Sequence, residues 1–164
     1  MKRIQYLLIL ISIVFTQACE SGEGICTTDV ISRVNAGFYV RDSLGERDTL
    51  LNDFSFYGTL RPDSLIYDSV AGIKKILFPL PHSPEGYTSF IISTDTTTEI
   101  KIYHTPNLVL VSYECGFTVN HNIYWVSYNK TLIDTIAITD PWVNLTNEEN
   151  LKIYLKPAVA DTAN

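Results

Sequence analysis

The sequence contains few of the residues from which catalytic and metal sites are built. It has only three histidines, His82, His104 and His121, which are scattered near predicted turns and show no metal-ligand spacing. It also lacks a Cys-x-x-Cys pair, a Gly-x-Ser-x-Gly elbow and a phosphate-binding glycine loop. We interpret the histidines as surface residues, and the sequence predicts no enzymatic activity, no metal site and no cofactor.

A long hydrophobic run is also missing. The longest apolar stretch, residues 4–15, is shorter than the roughly 20 residues that a membrane-spanning helix needs. Its basic start and the small residue before Cys19 are typical of a bacterial secretory signal peptide. A cysteine at that place resembles a lipobox, although Thr16 stands where the pattern prefers an aliphatic residue. The sequence predicts a lipoprotein signal peptide over residues 1–18 and a lipidated Cys19 in a short tether over residues 19–25, with an ordinary cleaved signal peptide as the alternative.

Basic residues are scarce as well. The chain has 12 basic and 18 acidic residues, and removal of Lys2 and Arg3 with the leader leaves a net charge of about −8. Such a surface repels phosphate backbones, so we expect no nucleic-acid partner. Acyl chains on Cys19, palmitate among them, would stabilise membrane attachment by about 0.8 kcal/mol per buried CH₂. We expect a lipid-anchored protein of the cell envelope, in the outer membrane and facing the periplasm or the cell surface.

The chain has three cysteines, and two remain once lipid occupies Cys19. In an oxidising compartment these two have one way to pair. Alternation along the predicted strands places both Cys26 and Cys115 on inward faces. We predict a structural disulfide between them, which the chain-entropy estimate values at about 4–5 kcal/mol. Two buried free thiols or a redox pair are the alternatives.

What the chain does have is alternation of apolar and polar residues in short segments separated by turn residues. The candidate strands are residues 27–40, 49–59, 73–80, 87–93, 98–105, 108–119, 123–128, 132–139 and 151–156. Local turns predict two hairpins, one joining residues 87–93 to 98–105 and one joining residues 123–128 to 132–139.

This pattern predicts an all-β fold, because short alternating strands with frequent turns are typical of sandwiches and barrels. We expect a single antiparallel β-sandwich of about eight or nine strands over residues 26–157, immunoglobulin-like or jelly-roll-like. A flexible tail would follow over residues 158–164.

Aromatic residues are plentiful, with ten tyrosines, seven phenylalanines and two tryptophans. Tyr124, Trp125 and Tyr128 lie on one predicted strand with aromatic residues on both faces, which makes them candidates for contact with a ligand. Burial of both faces is the alternative. Glu114 interrupts an apolar run, and we consider it either a solvated carboxylate on the outer sheet face or an acid that contacts a ligand. Trp142 is interpreted as a loop residue packing over a sheet end.

Seven of the ten aspartates are followed directly by Ser or Thr. The pattern resembles the acceptor signal for O-glycosylation in Bacteroidota envelopes, although the same dipeptides also favour turns and strand starts. The candidate acceptors are Ser43, Thr49, Ser64, Ser69, Thr96, Thr135 and Thr162.

Several segments together resemble an uncharacterised lipoprotein family of the Bacteroidota envelope, a domain of unknown function. The resemblance is carried by Phe56-Tyr57-Gly58, Asp63-Ser64-Leu65, Ile76-Leu77-Phe78-Pro79-Leu80, Thr88-Ser89-Phe90, Val111-Ser112-Tyr113-Glu114-Cys115-Gly116-Phe117, Ile133-Asp134-Thr135-Ile136 and Asn150-Leu151-Lys152-Ile153-Tyr154. It covers roughly residues 26–156 and implies an envelope location and a β-rich fold, but no activity.

From all this we expect a non-catalytic lipoprotein of the cell envelope with a structural or protein-interaction role, held to the membrane by its N-terminal lipid. The alternative is a ligand-binding module of the envelope, most plausibly one that binds glycans through surface aromatics. A sandwich-fold hydrolase ranks third.

Overall fold

A computed structural model describes residues 25–43, 45–81, 83 and 85–156. These residues contain strands and connecting segments but no helix, so the predicted all-β class is confirmed. The strands are β1 (Arg33–Asp42), β2 (Gly45–Asp48), β3 (Phe54–Gly58), β4 (Leu65–Val70), β5 (Lys75–Pro79), β6 (Tyr87–Ser93), β7 (Thr97–Ser112), β8 (Gly116–Tyr128), β9 (Ile133–Ile138), β10 (Trp142–Val143) and β11 (Leu151–Leu155). The predicted signal peptide, Cys19 and the C-terminal tail lie outside the described residues.

The first sheet has five strands and is built around β1. Strand β11 lies on one edge of β1, and β2 and β5 lie end to end on its other edge. The backbone of Phe38 spans their junction, because its N–H donates to Lys74 O and its carbonyl accepts from Thr49 N. Strand β11 runs parallel to β1, from the Ala36–Leu151 pair to the Val40–Leu155 pair, and antiparallel to β9. The prediction of a purely antiparallel architecture was therefore wrong, because alternation within a strand carries no information about its direction relative to a distant partner.

The second sheet has six strands in the order β10-β8-β7-β6-β3-β4, and every pair is antiparallel. The predicted hairpin of residues 87–93 and 98–105 is confirmed as β6–β7, with Ser93 opposite Thr97. The other predicted hairpin was wrong. Strands β8 and β9 follow one another in the chain but belong to different sheets, so the segment between them is a crossover.

One hydrophobic core joins the two sheets. Inward positions two apart along the strands are buried, as in Val34, Ala36 and Phe38 of β1. Phe78 of the first sheet lies 4.8 Å from Phe56 and 4.9 Å from Phe90 of the second, measured between ring centroids. Because aromatic rings at such separations attract one another beyond the effect of burial, these contacts hold the two sheets together.

The predicted strand over residues 108–119 is in fact a hairpin. Strand β7 continues through Pro106 to Ser112, the chain turns at residues 113–115, and β8 begins at Gly116, which has a φ of +70°. Pairing with β6 stops at Tyr103, so Pro106 lies where β7 pairs with β8 alone among the described strands. A proline is tolerated there because one side of the strand needs no amide donor.

The sequence analysis did not predict strand β4 or the short strands β2 and β10. Strand β4 lies at a sheet edge with most of its side chains exposed, so it lacks the apolar alternation on which the prediction depended.

Cys26 and Cys115 form the predicted disulfide, with their Cα atoms 4.8 Å apart. The reasoning from inward-facing parity was wrong, however. Cys26 is exposed in the segment that precedes β1, and Cys115 is half-buried in the β7–β8 turn. The bond therefore ties the start of the described chain to the tip of a hairpin at the surface.

Candidate functional site

A row of aromatic side chains crosses the outer face of the six-stranded sheet. Tyr87 of β6 pairs with Tyr103 of β7, which in turn pairs with Trp125 of β8. The rings of Tyr87 and Tyr103 lie 5.3 Å apart, and the Trp125 side chain is 62% exposed. Directly paired residues of antiparallel strands point to the same side, so three neighbouring strands present one continuous aromatic row.

A β-bulge adds a fourth ring to this row. Trp125 is opposite Tyr103 and Ile123 is opposite His104, so Tyr124 is an extra residue on β8. Because the extra residue of a bulge has no residue opposite it on the partner strand, its side chain need not follow the alternation between the two sheet faces. The Tyr124 ring lies 6.2 Å from that of Tyr103 and its side chain is 54% exposed.

Trp142 of β10 extends the same face. It pairs with Asn122, which lies two residues before Tyr124 on β8 and points away from the core. Trp142 is half-exposed and part of a short edge strand, not of a loop. We call the surface formed by these side chains the aromatic face; its members are Tyr87, Tyr103, Tyr124, Trp125 and Trp142.

Polar groups border the aromatic face on β6 and β7. The Ser89 hydroxyl donates to Glu99 at 2.5 Å, and the Lys101 ammonium lies 3.9 Å from the Glu99 carboxylate and 5.6 Å from the centre of the Tyr87 ring. A hydrogen bond to the Glu85 carboxylate raises the pKa of the Tyr87 hydroxyl above its ordinary value. The face thus offers flat apolar rings next to hydrogen-bonding groups of both signs.

The structure brings together part of the predicted ligand-contacting set. Tyr124 and Trp125 lie on the aromatic face, whereas Tyr128 packs against the core and its hydroxyl lies 3.5 Å from Asp134 O. Glu114 is exposed in the β7–β8 turn and not on the face of a strand. At about 3.3 Å per residue along β8, Glu114 is on the order of 30 Å from Trp125.

Sequence reasoning missed Tyr87, Tyr103 and Trp142. A signal for the first two was present, because the predicted hairpin around Asp95 and Thr96 places Tyr87 opposite Tyr103 once its register is counted out from the turn. Trp142 had no such signal, since pairing of a two-residue strand with β8 depends on contacts distant in sequence.

Two of the three histidines were wrongly interpreted as surface residues. His104 and His121 are both buried, on the core side of β7 and β8, with their Nδ1 atoms 3.0 Å apart and Thr88 Oγ1 3.0 Å from His104 Nε2. His82 lies outside the described residues. In the part of the chain that the structure describes, no three His, Cys, Asp or Glu side chains come close enough to hold a metal ion.

The candidate glycosylation acceptors are spread over several turns and strands. Ser43, Ser64, Ser69 and Thr96 are exposed, and Thr49 and Thr135 are half-buried. Thr162 lies outside the described residues. Among the residues that the structure describes, no helix has the length and hydrophobicity that crossing a membrane requires.

The sequence of this region matches a protein family model. Residues 54–155 match the model of a family of unknown function, DUF6452, and the chain belongs to that family. The matched range includes every member of the aromatic face and the whole β7–β8 hairpin. Comparison with curated proteins and with solved structures finds no match.

Proposed function

We propose that this protein is a non-catalytic lipoprotein of the cell envelope that binds a partner through the aromatic face. The signal-peptide plan of residues 1–18 and the cysteine that follows support the anchor. The observation that carries the binding role is the row Tyr87–Tyr103–Trp125, extended by the half-exposed rings of Tyr124 and Trp142. Exposed clusters of large apolar side chains on a folded domain mark interaction sites.

A protein is the leading partner class. Tyrosine and tryptophan are enriched where protein interfaces concentrate their binding energy, because they bury large areas and keep a polar group for a hydrogen bond. The aromatic face has this composition, with Lys101 and Glu99 at its border as a polar rim. Such a surface suits a structural or protein-interaction role between envelope components.

A glycan is the second candidate, and one specific observation favours it. Ser89, Glu99 and Lys101 lie on the same two strands as Tyr87 and Tyr103 and supply donors and acceptors beside the rings. Sugar rings have flat apolar faces and a hydroxyl-rich edge, so rings beside polar groups complement them. The same arrangement orients small ligands in binding sites generally.

The proposal also includes the arrangement of the two sheets and O-glycosylation of the chain. We infer that the two sheets form a β-sandwich, since the buried side chains of both belong to one cluster. O-glycosylation fits Ser43, Ser64, Ser69 and Thr96 best, because their exposure leaves the hydroxyl open to a transferase.

A photocrosslinking amino acid in place of Trp125 tests the binding role in intact envelopes. The matched control carries the same group in place of Leu60, which is 95% exposed in the β3–β4 turn. We expect a specific protein adduct at position 125 and none at position 60. On a glycan array, specific binding that Trp125→Ala weakens by about thirtyfold, as expected for a hot-spot residue worth about 2 kcal/mol, would instead select the glycan. Absence of both results would reject the aromatic face as a binding surface.

The anchor has its own test. Cys19→Ser should move the chain from the membrane fraction to the soluble fraction and remove the acyl mass from the intact protein. A variant that stays in the membrane fraction with unchanged mass would contradict lipidation at Cys19.

A further inference from the structure

The distal half of the β7–β8 hairpin, residues 105–120, extends beyond the pairing of β7 with β6. That pairing ends at Tyr103, so beyond it β7 has β8 as its partner in the sheet. We call residues 105–120 the distal hairpin. Its turn residue Tyr113 is 95% exposed.

The distal hairpin exposes apolar side chains on one face. Leu108 pairs with Val119 and Leu110 pairs with Phe117, so the four side chains share a face. All four are exposed, Leu108 by 64% and Phe117 by 60%. This face continues the core side of β7 and β8, where His104 and His121 are buried. Pro79 at the end of β5 and Leu80 line a shallow groove with Phe117 and Val119, but the described residues leave the four apolar side chains exposed.

The distal hairpin is also almost uncharged. Of its 16 residues Glu114 alone carries a charge, and it lies in the turn. A hydrogen bond to its own backbone and one from the Ser112 hydroxyl lower the pKa of the Glu114 carboxyl below its ordinary value. An apolar face ending in one ionised group fits a boundary between hydrocarbon and water better than it fits bulk solvent.

The disulfide places this hairpin beside the N-terminal segment. Cys115 in the turn is bonded to Cys26, and the Thr118 hydroxyl donates to Val30 O while the Ser32 hydroxyl donates to Asn120. Seven residue steps separate Cys26 from Cys19, and a chain reaches at most about 3.3–3.6 Å per residue, so the span is at most about 25 Å. The Cα atoms of Cys26 and Cys115 are a further 4.8 Å apart, so an acylated Cys19 would hold the hairpin tip within about 30 Å of the bilayer surface.

We propose that the distal hairpin lies on the membrane that anchors the chain, with Leu108, Leu110, Phe117 and Val119 in contact with the lipid interface and Glu114 at the headgroups. The inference rests on the proposed lipid anchor. The occupant is a zwitterionic lipid surface, because the distal hairpin has no basic side chain to attract anionic headgroups and the chain as a whole is acidic. The aromatic face, which lies along β8 toward its other end, would then remain available to a partner.

Depth-dependent fluorescence quenching tests this arrangement with the full acylated chain. Both native tryptophans are replaced (Trp125→Phe and Trp142→Phe), and Phe117→Trp is added as a single probe; the control carries Leu60→Trp instead. Each protein is reconstituted in phosphatidylcholine vesicles, with and without bromine on the acyl chains. An interfacial apolar face lies about 5–10 Å into the headgroup boundary, so we expect bromine to reduce the Phe117→Trp emission about twofold and to leave the Leu60→Trp emission unchanged.

The possible outcomes distinguish failure of the membrane contact from failure of the lipid anchor. Equal emission of both probes in brominated and plain vesicles, with the acyl mass present and the chain floating with the vesicles, would overturn the inference and leave the anchor standing. An unquenched Phe117→Trp probe whose emission shifts to the blue as more protein is packed into each vesicle would assign the face to a second copy, and so would also overturn it. A chain without acyl mass that does not float would reject the anchor and the inference together. Loss of quenching on removal of the Cys26–Cys115 bond, with flotation unchanged, would support the positioning role of the disulfide.

Discussion

On the outer face of the five-stranded sheet Tyr39 and Tyr154 are covered by charged side chains, whereas on the outer face of the six-stranded sheet Tyr124 and Trp125 are open. The Arg41 guanidinium lies 4.4 Å from the centre of the Tyr154 ring, and the Lys152 ammonium lies 4.7 Å from that of Tyr39. Such cations over aromatic rings are attracted by the negative charge of the ring face. No cation covers the Trp125 ring among the described residues.

The tyrosine hydroxyls of the five-stranded sheet are also bound to charged side chains. Tyr39 donates to Glu149 at 2.6 Å, and Tyr154 donates to Glu46 at 2.7 Å. The Lys152 ammonium also donates to Glu46, at 2.5 Å. We call these five side chains, together with Arg41, the ion-pair network; its members are Tyr39, Arg41, Glu46, Glu149, Lys152 and Tyr154.

The comparison indicates which face is free to bind. In the ion-pair network the rings and their polar groups already satisfy one another, so a ligand would have to displace contacts within the protein. The aromatic face keeps more than half of the Tyr124 and Trp125 side chains in solvent. One aromatic-rich face is therefore closed by contacts within the protein, whereas the other is open, as the proposed binding role requires.

Truncation of one ring on each face should separate these roles most clearly. Tyr154 is 5% exposed and Trp125 is 62% exposed. We expect Tyr154→Ala to lower the free energy of unfolding by about 3–5 kcal/mol, as for other buried aromatics, and Trp125→Ala to lower it by less than about 1 kcal/mol. Denaturant unfolding of both variants measures the difference. Equal losses would contradict the division between the two faces.

The ion-pair network depends on a glycine beneath it. A Cβ atom at position 37 would lie 2.3 Å from Glu149 Oε1 and 2.7 Å from Tyr39 Cε2, so Gly37 leaves the space that these two side chains occupy. We expect Gly37→Ala to cost about 1–3 kcal/mol of unfolding free energy through overpacking. Gly58→Ala is the matched control, because no atom lies within 4 Å of a Cβ placed at that strand position. If both substitutions changed stability alike, crowding under the network would not be the cause.

Alkaline pH should weaken the same network. The hydrogen bond to Glu149 and the negative charges around it raise the pKa of Tyr39 above its ordinary value of 10.0. A raised pKa in the folded state means that this contribution is complete below pH 10 and is lost as the pH rises through the folded-state value. We expect the stability of the wild type to fall above about pH 10 and that of Tyr39→Phe to fall less. Thermal unfolding from pH 8 to pH 11 measures this, and identical slopes for the two proteins would contradict it.

The smallest expected effect concerns acid pH and Glu46. Hydrogen bonds from Lys152 and then from Tyr154 lower the pKa of Glu46 below 4.5. Its contribution is therefore present above pH 4.5 and is lost as the pH falls through the folded-state value. Glu46→Gln should reduce this loss of stability at acid pH, whereas Glu148→Gln, at an exposed position, should leave it unchanged. High salt should reduce the difference, since the pairs lie at the surface. If the stability of Glu46→Gln fell with decreasing pH as steeply as that of the wild type, the result would argue against the network.

The sequence predicted mainly those structural features that depend on residues close together in the chain. Alternation with period 2 indicated the all-β class, and the short turn at residues 94–96 predicted the β6–β7 hairpin. The cysteine count predicted the bond between Cys26 and Cys115. Tyr124 and Trp125 were identified as candidates because aromatic residues occupied both parities of one strand, which is where the bulge lies.

Tertiary structure alone decided which elements meet. Alternation says that a strand has two different faces but not which sheet it joins, so neither the crossover from β8 to β9 nor the parallel pairing of β1 with β11 could be predicted. For the same reason the sequence could not show that His104 and His121 are buried together, or that Trp142 joins the aromatic face. Whether an aromatic side chain is covered by a cation, as Tyr154 is, or left open, as Trp125 is, depends on residues far apart in the chain, because sheet partners are selected by packing and not by proximity in sequence.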